Sequence, residues 1–146
     1  MNKEGAIAKA EQILKRHSGT SWADGEGSYC TLALIDSEGY PSASTITASK
    51  ADGLKQIFFC TGLSSNKAAR IKNCDRASVC FSGPDYNITL VGTIEVLTSP
   101  EIKKEMWYEP LAHHFSGPDD PQYCVLRLTP NRYNLLIDWQ EIAGTI

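Results

Sequence analysis

The chain has 146 residues and a formal net charge of -3, and its Lys and Arg residues form no stripe. A nucleic-acid partner is not expected, because phosphate backbones are gathered by strongly basic surfaces. At this length folding buries roughly 70% of the unfolded chain's surface, so we expect one domain over residues 1–146. No apolar run approaches the roughly 20 residues that cross a bilayer, and the first residues are charged. We therefore expect a cytoplasmic protein with no membrane partner.

The five cysteines give an odd count and contain no C-x-x-C pair. Four of them lie inside apolar runs: Cys30, Cys60, Cys80 and Cys124. Buried, reduced thiols are the state that this pattern favours over a redox or metal site. Cys74 lies in a polar stretch, and we expect it to be the most exposed of the five.

The first third of the chain predicts a helix followed by a β-hairpin. Lys3 to His17 carries apolar residues at i, i+3 and i+4, which is the pattern of an amphipathic helix. A Gly-rich connection, Ser18 to Gly27, follows. Two β-prone runs, Ser28 to Asp36 and Tyr40 to Ala48, are separated by the turn sequence Ser37-Glu38-Gly39, and together they predict a hairpin.

The middle of the chain predicts the order strand, helix, strand. Gln56 to Thr61 is a short, strongly β-prone run that ends at Gly62, and we expect it to be a buried strand. Ser64 to Asn73 has helical character, with Asn73 able to end the helix. Arg76 to Ser82 then resumes a strand.

The last part of the chain begins with its clearest strand, in which apolar and polar residues alternate from Ile88 to Val96. Gly92 inside this strand predicts a bulge or bend. Ser99 followed by Pro100 is typical of a helix start, and the helix should continue to about Tyr108. Two further strands complete the pattern, Tyr123 to Thr129 and Arg132 to Asp138.

Many short strands with few helices favour a mainly β fold of the α+β type. We expect a six- to seven-stranded antiparallel barrel, with an N-terminal helix and two short connecting helices. A closed antiparallel sheet fits this pattern better than a parallel α/β sheet does.

The junction between the buried strand and its helix is the clearest candidate for chemistry. Here Thr61 is followed by small polar residues and then by Lys67 at the start of the helix. Free backbone N–H groups at a helix start, with serine hydroxyls and a cation beside them, form an anion site. Lys67 opposes the helix dipole unless an anion lies between them, and Arg70 shares its face. An ordinary serine-capped helix with a solvated lysine remains the alternative.

A second candidate is the run Pro41 to Ala48, which carries almost only small side chains. Small residues leave the backbone amides open to a flat ligand, although a modestly packed edge strand would look the same. No Walker loop and no G-x-G-x-x-G sequence is present.

The order of these motifs resembles the FMN-binding split barrels of the pyridoxamine-phosphate-oxidase-like superfamily, most closely their short general-stress-protein branch. Gly39-Tyr40-Pro41, Phe59-Cys60-Thr61, Ser65-Asn66-Lys67 and Asn87 to Gly92 stand in the order of that family. The resemblance covers about Tyr29 to Asp138, and it is the ordered set of motifs that is specific.

The resemblance implies a homodimer with two FMN sites at the subunit interface. The flavin edge would lie along residues 44–47, with the phosphate near Ser65 and Lys67. Thr61 would border the flavin, and Asn87 stands where oxidase relatives place a Gln that touches it. The implied cofactor-binding residues are Ser44, Thr45, Ile46, Thr47, Phe59, Cys60, Thr61, Ser65, Asn66, Lys67 and Asn87.

Two departures from the family pattern limit what it implies. Ser44 replaces the usual Arg, so one cation is missing at the cofactor and flavin affinity should be weaker. Leu136 stands where true oxidases carry a Trp, and the Arg-x-His segment that grips their substrate is absent from these 146 residues. Vitamin B6 oxidation is therefore not expected.

The leading functional hypothesis is an FMN-dependent oxidoreductase that reduces a small organic substrate with a nicotinamide electron donor. Its catalytic residues are not identified, and no metal site is expected. The alternatives are a flavin-binding or stress-response protein without turnover, and a split barrel that binds a deazaflavin or haem. Three aromatic residues could cover the flavin from the partner subunit or simply pack: Trp107, Tyr108 and Trp139. His113 and His114 are expected to be solvated.

Overall fold

The computed structural model describes residues 2–19 and 29–146. The predicted connection between Ser18 and Gly27, apart from its first two residues, lies outside this part of the chain, and so does Ser28. Within the described part the elements are α1 (Lys3–Arg16), β1 (Tyr29–Ile35), β2 (Pro41–Thr47), β3 (Lys50–Asp52), β4 (Gln56–Gly62), α2 (Asn66–Asn73), β5 (Arg76–Gly83), β6 (Tyr86–Leu97), α3 (Pro100–Met106), a 3₁₀ helix (Glu109–His113), β7 (Tyr123–Ile137) and β8 (Gln140–Thr145).

The strands form one antiparallel sheet in the order β2-β1-β5-β6-β7-β4-β3, with β8 added beside β7. The long strand β7 joins the parts of this sheet. Its first half pairs with β4, its second half pairs with β8, and its other edge pairs with β6 along its length. The predicted mainly β split-barrel fold, with an N-terminal helix and two short connecting helices, is confirmed.

The sheet curls because its two edge strands are neighbours in the chain. β2 and β3 lie at opposite ends of the strand order, yet only Ala48 and Ser49 separate them. Three Cα steps span at most about 10 Å, so the two ends of the sheet must approach each other. Among the described residues no ladder pairs β2 with β3, so the barrel is split, and the expectation of a closed sheet is wrong.

The two last predicted strands are one continuous strand, β7, because the Pro between them lies at a bulge. Val91 of β6 pairs with Arg132 and Gly92 pairs with Pro130, which leaves Asn131 as the extra residue. A bulge tolerates Pro, which has no N–H to donate to the ladder. The bulge predicted at Gly92 is confirmed, and it accounts for the apparent break in β7.

Two strands were missed by the sequence analysis, and one helix is shorter than predicted. β3 has only three residues, and β8 is mostly polar, with Ile142 as its one side chain packed against the core. α3 ends at Met106 rather than near Tyr108, which instead precedes the 3₁₀ helix. Short or polar strands lack the alternation on which prediction depends.

Two apolar clusters stabilise the fold on opposite faces of β4. Phe59 faces the barrel interior, which α1 covers with the buried residues Ala6, Ala10, Ile13 and Leu14. Phe58 faces a second cluster, in which α3 and the 3₁₀ helix contribute Met106 and Leu111. β4 is therefore buried on both faces, which explains its continuous apolar run and confirms the prediction of a buried strand.

The bulge gives a direct test of the packing around β6. A Cβ on Gly92 would lie 2.7 Å from the Pro130 Cα and would also meet the Thr129 carbonyl oxygen, and both are backbone atoms that cannot rotate away. We expect Gly92→Ala to lower the free energy of unfolding by about 2 to 3 kcal/mol, measured by urea titration. Gly117→Ala is the matched control, because a Cβ there meets no atom within 4 Å. Equal stability of the two variants would contradict this packing.

Candidate functional site

The start of α2 has the features of the predicted anion site. Ser65 caps the helix, its Oγ accepting from the Ala68 N–H at 3.3 Å, and the first turn contains no acidic residue. Lys67 and Arg70 are half-buried, and neither forms an ion pair with any residue in the described part of the chain. Asn66, the first residue of the helix, is exposed. Lys67, in the first turn of α2, and Arg70, in its last turn, therefore have no counter-ion among the described residues.

The three predicted residues on β4 do not share one face. Phe59 is fully buried in the barrel interior, so its side chain is closed to a ligand. Thr61 is half-buried and, by strand alternation, points to the same side as Phe59. The Cys60 side chain points the opposite way, with its Sγ 3.7 Å from the Met106 carbonyl oxygen of α3. On the side that Thr61 faces, a ligand could therefore contact Cys60 only through its backbone.

The four predicted residues on β2 divide in the same way. Ile46 packs against the barrel core, and Ser44 points to that side as well. Thr45 and Thr47 point outward. β2 is an edge strand whose single described ladder is with β1, and no described strand pairs with its other edge over residues 41–47. Small side chains beside free backbone N–H and C=O groups suit a flat, polar-edged ligand.

β2 also approaches β4, because the joint at Ala48 and Ser49 brings the two strands together. The Ser49 N–H donates to the Phe58 carbonyl oxygen at 2.8 Å. Ser49 is only 6% exposed, and its Oγ lies 3.5 Å from the Cys60 Sγ. The sequence analysis did not single out Ser49, since a serine in a run of small residues carries no signal of its own.

Asn87 lies elsewhere, on the outward face of β6. Its Oδ1 accepts from the Thr89 hydroxyl at 3.2 Å and from the Cys80 thiol at 3.4 Å. A shallow cavity of about 250 Å³ beside it is lined by Asn87, Thr89, Asn134, Leu136 and Glu141. Four of these five residues are polar, and Leu136 is the apolar one.

Within one chain, the predicted site residues Thr61 and Asn87 lie far apart along β7. Thr61 pairs with Cys124 near the start of β7, whereas Asn87 pairs with Leu136 near its end. These positions are twelve residues apart, roughly 40 Å along an extended strand. The structure brings Thr61, Ser65 and Lys67 to one end of the sheet, and it leaves Asn87 at the other.

A broad part of the sheet is covered by none of the described helices. We call it the outer sheet face, and its central row crosses six strands through Thr45, Thr31, Cys80, Thr89, Asn134 and Ala143. α1 and α2 pack on the opposite, core side. α3 packs against the first half of β7 and its neighbours, with Phe58 of β4 and Leu97 of β6 in the same cluster. The outer sheet face carries small and polar side chains and includes Asn87.

A family model described as pyridoxamine 5'-phosphate oxidase matches residues 26–136, which is most of the chain. The chain belongs to this family. The resemblance inferred from the motif order is thus confirmed. Among curated proteins, general stress protein 26 of Bacillus subtilis (strain 168) is 25% identical over 118 residues, covering 72% of this chain and 84% of that protein.

Solved structures show the same fold at low sequence identity. A Clostridium acetobutylicum protein related to general stress protein 26 has a TM-score of 0.77 at 23% identity, over 100% of this chain and 97% of the other. A pyridoxamine 5'-phosphate oxidase-related, FMN-binding protein of Nostoc punctiforme has a TM-score of 0.69 at 19% identity, over 100% and 97%. A haem-binding protein of Mycobacterium smegmatis has 0.70 at 16%, over 99% of this chain and 59% of its own.

The three aromatic candidates differ in their surroundings. Trp107 packs edge to face on Tyr123, with ring centroids 5.3 Å apart, and Tyr108 is half-buried in the same cluster. Burial raises the pKa of Tyr108. Trp139 is 77% exposed at the turn between β7 and β8. His113 and His114 are exposed.

No helix in the described part of the chain is long and apolar enough to cross a membrane.

The cysteines are free thiols, and most of them are withdrawn from water. Cys30 and Cys124 are buried, while Cys60, Cys74 and Cys80 are half-buried. We expected Cys74 to be the most exposed of the five, but it is in the same burial class as Cys60 and Cys80. Burial raises the pKa of Cys30 from 9.0 to about 12 and that of Cys124 to about 11. Burial also raises the pKa of Cys60. Thiols that remain protonated are poor nucleophiles, which favours a structural role.

These thiols predict a loss of stability at alkaline pH. A thiol whose folded pKa is raised stabilises the fold fully below pH 9.0, and this contribution is lost as the pH rises towards 11 to 12. Between pH 8 and 10.5 we expect Cys30 alone to account for a loss of about 2 kcal/mol in the free energy of unfolding. Urea titrations of wild type and Cys30→Ala at both pH values isolate its share. Identical pH slopes for the two proteins would contradict the assignment.

Proposed function

We propose that this chain is an FMN-binding protein that acts as a homodimer, with each cofactor site built from two copies. The observation that carries the proposal is the separation of the two groups of site residues at opposite ends of β7. Family membership gives the expectation of a flavin. One chain alone offers half of such a site at each end of its sheet.

The end of the sheet at α2 suits the phosphate of FMN. A phosphate there would accept hydrogen bonds from the free N–H groups of the first helical turn and from groups around Ser65. It would lie between the positive end of the helix dipole and the Lys67 ammonium. Lys67 and Arg70 would gain the counter-ion that the described residues do not supply. Ser44 contributes no charge on the barrel side of β2, so we expect a weaker grip on the phosphate than an Arg would give.

The free edge of β2 suits the flavin ring. The isoalloxazine has a polar edge of ring nitrogens and carbonyl oxygens, and the β2 backbone offers N–H and C=O groups in the same plane. Side chains at residues 42–45 are Ser, Ala, Ser and Thr, which are small enough to let the ring approach. When bound, the flavin would supply hydride transfer. The chain's own residues would bind it, orient it and shape the cavity beside it.

The outer sheet face suits the dimer contact. In an isologous interface each residue i of one copy meets residue j of the other, and j meets i. A contact across this face can bring Asn87 of one copy towards the α2 end of its partner, which one chain cannot do for itself. The polar cavity beside Asn87 would then border the partner's flavin.

We propose an oxidoreductase reaction, with a nicotinamide electron donor and a small organic substrate, as the use of this flavin. The second candidate is flavin binding without turnover, which fits the similarity to general stress protein 26. A haem or deazaflavin is the third candidate, which the fold shared with a haem-binding protein keeps open. His17 does not suit a haem iron, because Tyr86 and the Tyr29 carbonyl already occupy its two ring nitrogens. The cytoplasmic location stays a prediction from the sequence.

Lys67→Ala tests the phosphate contact. We expect FMN affinity to fall by about 1 to 3 kcal/mol, or roughly 5- to 150-fold, because a charge-assisted hydrogen bond is lost. Riboflavin affinity, measured by the same fluorescence titration, should change much less, since riboflavin has no phosphate. Lys72→Ala is the matched control, because Lys72 borders a different groove on the other side of α2. Equal losses for both ligands, or for both variants, would rule out the contact.

Thr31→Arg tests the dimer contact. Thr31 is exposed in the central row of the outer sheet face, so an Arg there would add a bulky cation to the contact in each copy. We expect the dimer dissociation constant, measured by analytical ultracentrifugation, to rise about tenfold or more, with weaker FMN binding. Thr98→Arg, at an exposed position between β6 and α3, should leave both unchanged. An unaltered Thr31→Arg dimer would mean that another surface forms the interface.

A further inference from the structure

The turn between β7 and β8 holds a bulky residue in a backbone conformation that bulky residues avoid. Ile137 pairs with Gln140, so the turn consists of Asp138 and Trp139 alone. Both have positive φ, 51° for Asp138 and 65° for Trp139. Two-residue hairpin turns of this kind strongly favour Asn-Gly or Asp-Gly, because glycine has no Cβ to clash. A Trp at the second position costs free energy where Gly would not.

Nothing in the described part of the protomer compensates for this strain. Trp139 is 77% exposed and makes no ring contact with a described residue. Asp138 is different, because its carboxylate is paired with the Lys9 ammonium of α1. The ion pair between Asp138 and Lys9 therefore holds the turn against α1, while the Trp139 indole extends into water. Strained backbone positions of this kind cluster at active sites, ligand clamps and switch regions.

The position of the turn indicates which ligand the Trp139 ring would contact. Leu136 and Ile137, just before the turn, pair with Asn87 and Tyr86 of β6. Trp139 thus belongs to the end of the sheet that carries Asn87, and it is remote from Thr61 of its own chain. Of the three aromatic candidates, Trp107 and Tyr108 are already packed in the cluster under α3. Trp139 alone presents an open ring face.

We propose that Trp139 of one copy covers the flavin ring bound at the α2 end of the other copy. This rests on the proposed function, which places Asn87 beside the partner's flavin. An indole and an isoalloxazine are both flat and aromatic, and stacking removes the exposed face of each from water. The stacking contact would then offset the free energy that the strained turn costs.

Trp139→Gly separates strain from binding because the two effects have opposite signs. In the flavin-free protein this variant should raise the melting temperature, since Gly adopts the positive φ without strain. FMN affinity should nevertheless fall about tenfold, and riboflavin affinity by the same factor, because the ring is common to both. Trp139→Phe should retain most of the affinity. Tyr40→Gly, which removes another exposed ring at the β1–β2 turn, should leave both affinities unchanged.

A heterodimer tests whether Trp139 acts on the partner's site. One copy carries Lys67→Ala and the other Trp139→Gly, with two affinity tags to purify the mixed species. If the indole acts in trans, one of the two sites has both residues intact and the other has neither. Titration with FMN should then show one site of wild-type affinity per heterodimer. If the indole acted within its own chain, both sites would be weakened and no wild-type site would appear.

The outcomes separate this inference from the proposed function. A wild-type protein that binds no FMN or forms no dimer would overturn the proposed function and this inference together. A wild-type dimer that binds FMN, with Trp139→Gly of unchanged affinity, would overturn the role of Trp139 alone. A heterodimer without a wild-type site would overturn the trans arrangement even if Trp139→Gly weakens binding.

Discussion

The two-residue joint at Ala48 and Ser49 is the constraint on which the rest of the molecule depends. It connects the two edge strands, so the sheet has to curl until β2 and β3 meet. Both residues are small and buried, and the Ser49 N–H is satisfied by β4. The same curl brings β2 near β4. Without it, β2 and β4 would lie in distant parts of the sheet.

Much of this fold could be predicted from the sequence because local patterns and global packing agree. The alternation of β6, the cap of α3 and the glycine bulge each have a local cause that the structure confirms. β7 could not be predicted as one strand, because the bulge that accommodates Pro130 depends on Gly92 of the neighbouring strand. β3 and β8 are stabilised by ladder pairing more than by their own side chains, so they carry no apolar period.

The candidate site was predictable in composition but not in arrangement. The start of α2 has a local signature, and the structure places Ser65 as its cap. The division of residues between faces needs only strand alternation, yet the sequence cannot tell which face is the barrel interior. Sequence order also hides the distance between Asn87 and Thr61, since that distance is set by the length of β7. Trp139 was one of three aromatic candidates, but its strained turn could not be predicted, because the strain is a property of the backbone.

The central role of β7 also bears on how the chain reaches its native state. Among the described ladders, β3 and β4 join the rest of the sheet through β7, and β7 begins at Tyr123. During synthesis the strands β1, β2, β5 and β6 can pair as soon as they emerge, whereas β4 must wait for a partner more than sixty residues later. Such late, non-local pairing slows folding and leaves apolar strands exposed meanwhile. The apolar run around Phe59 is therefore the segment most open to aggregation or chaperone binding on a nascent chain.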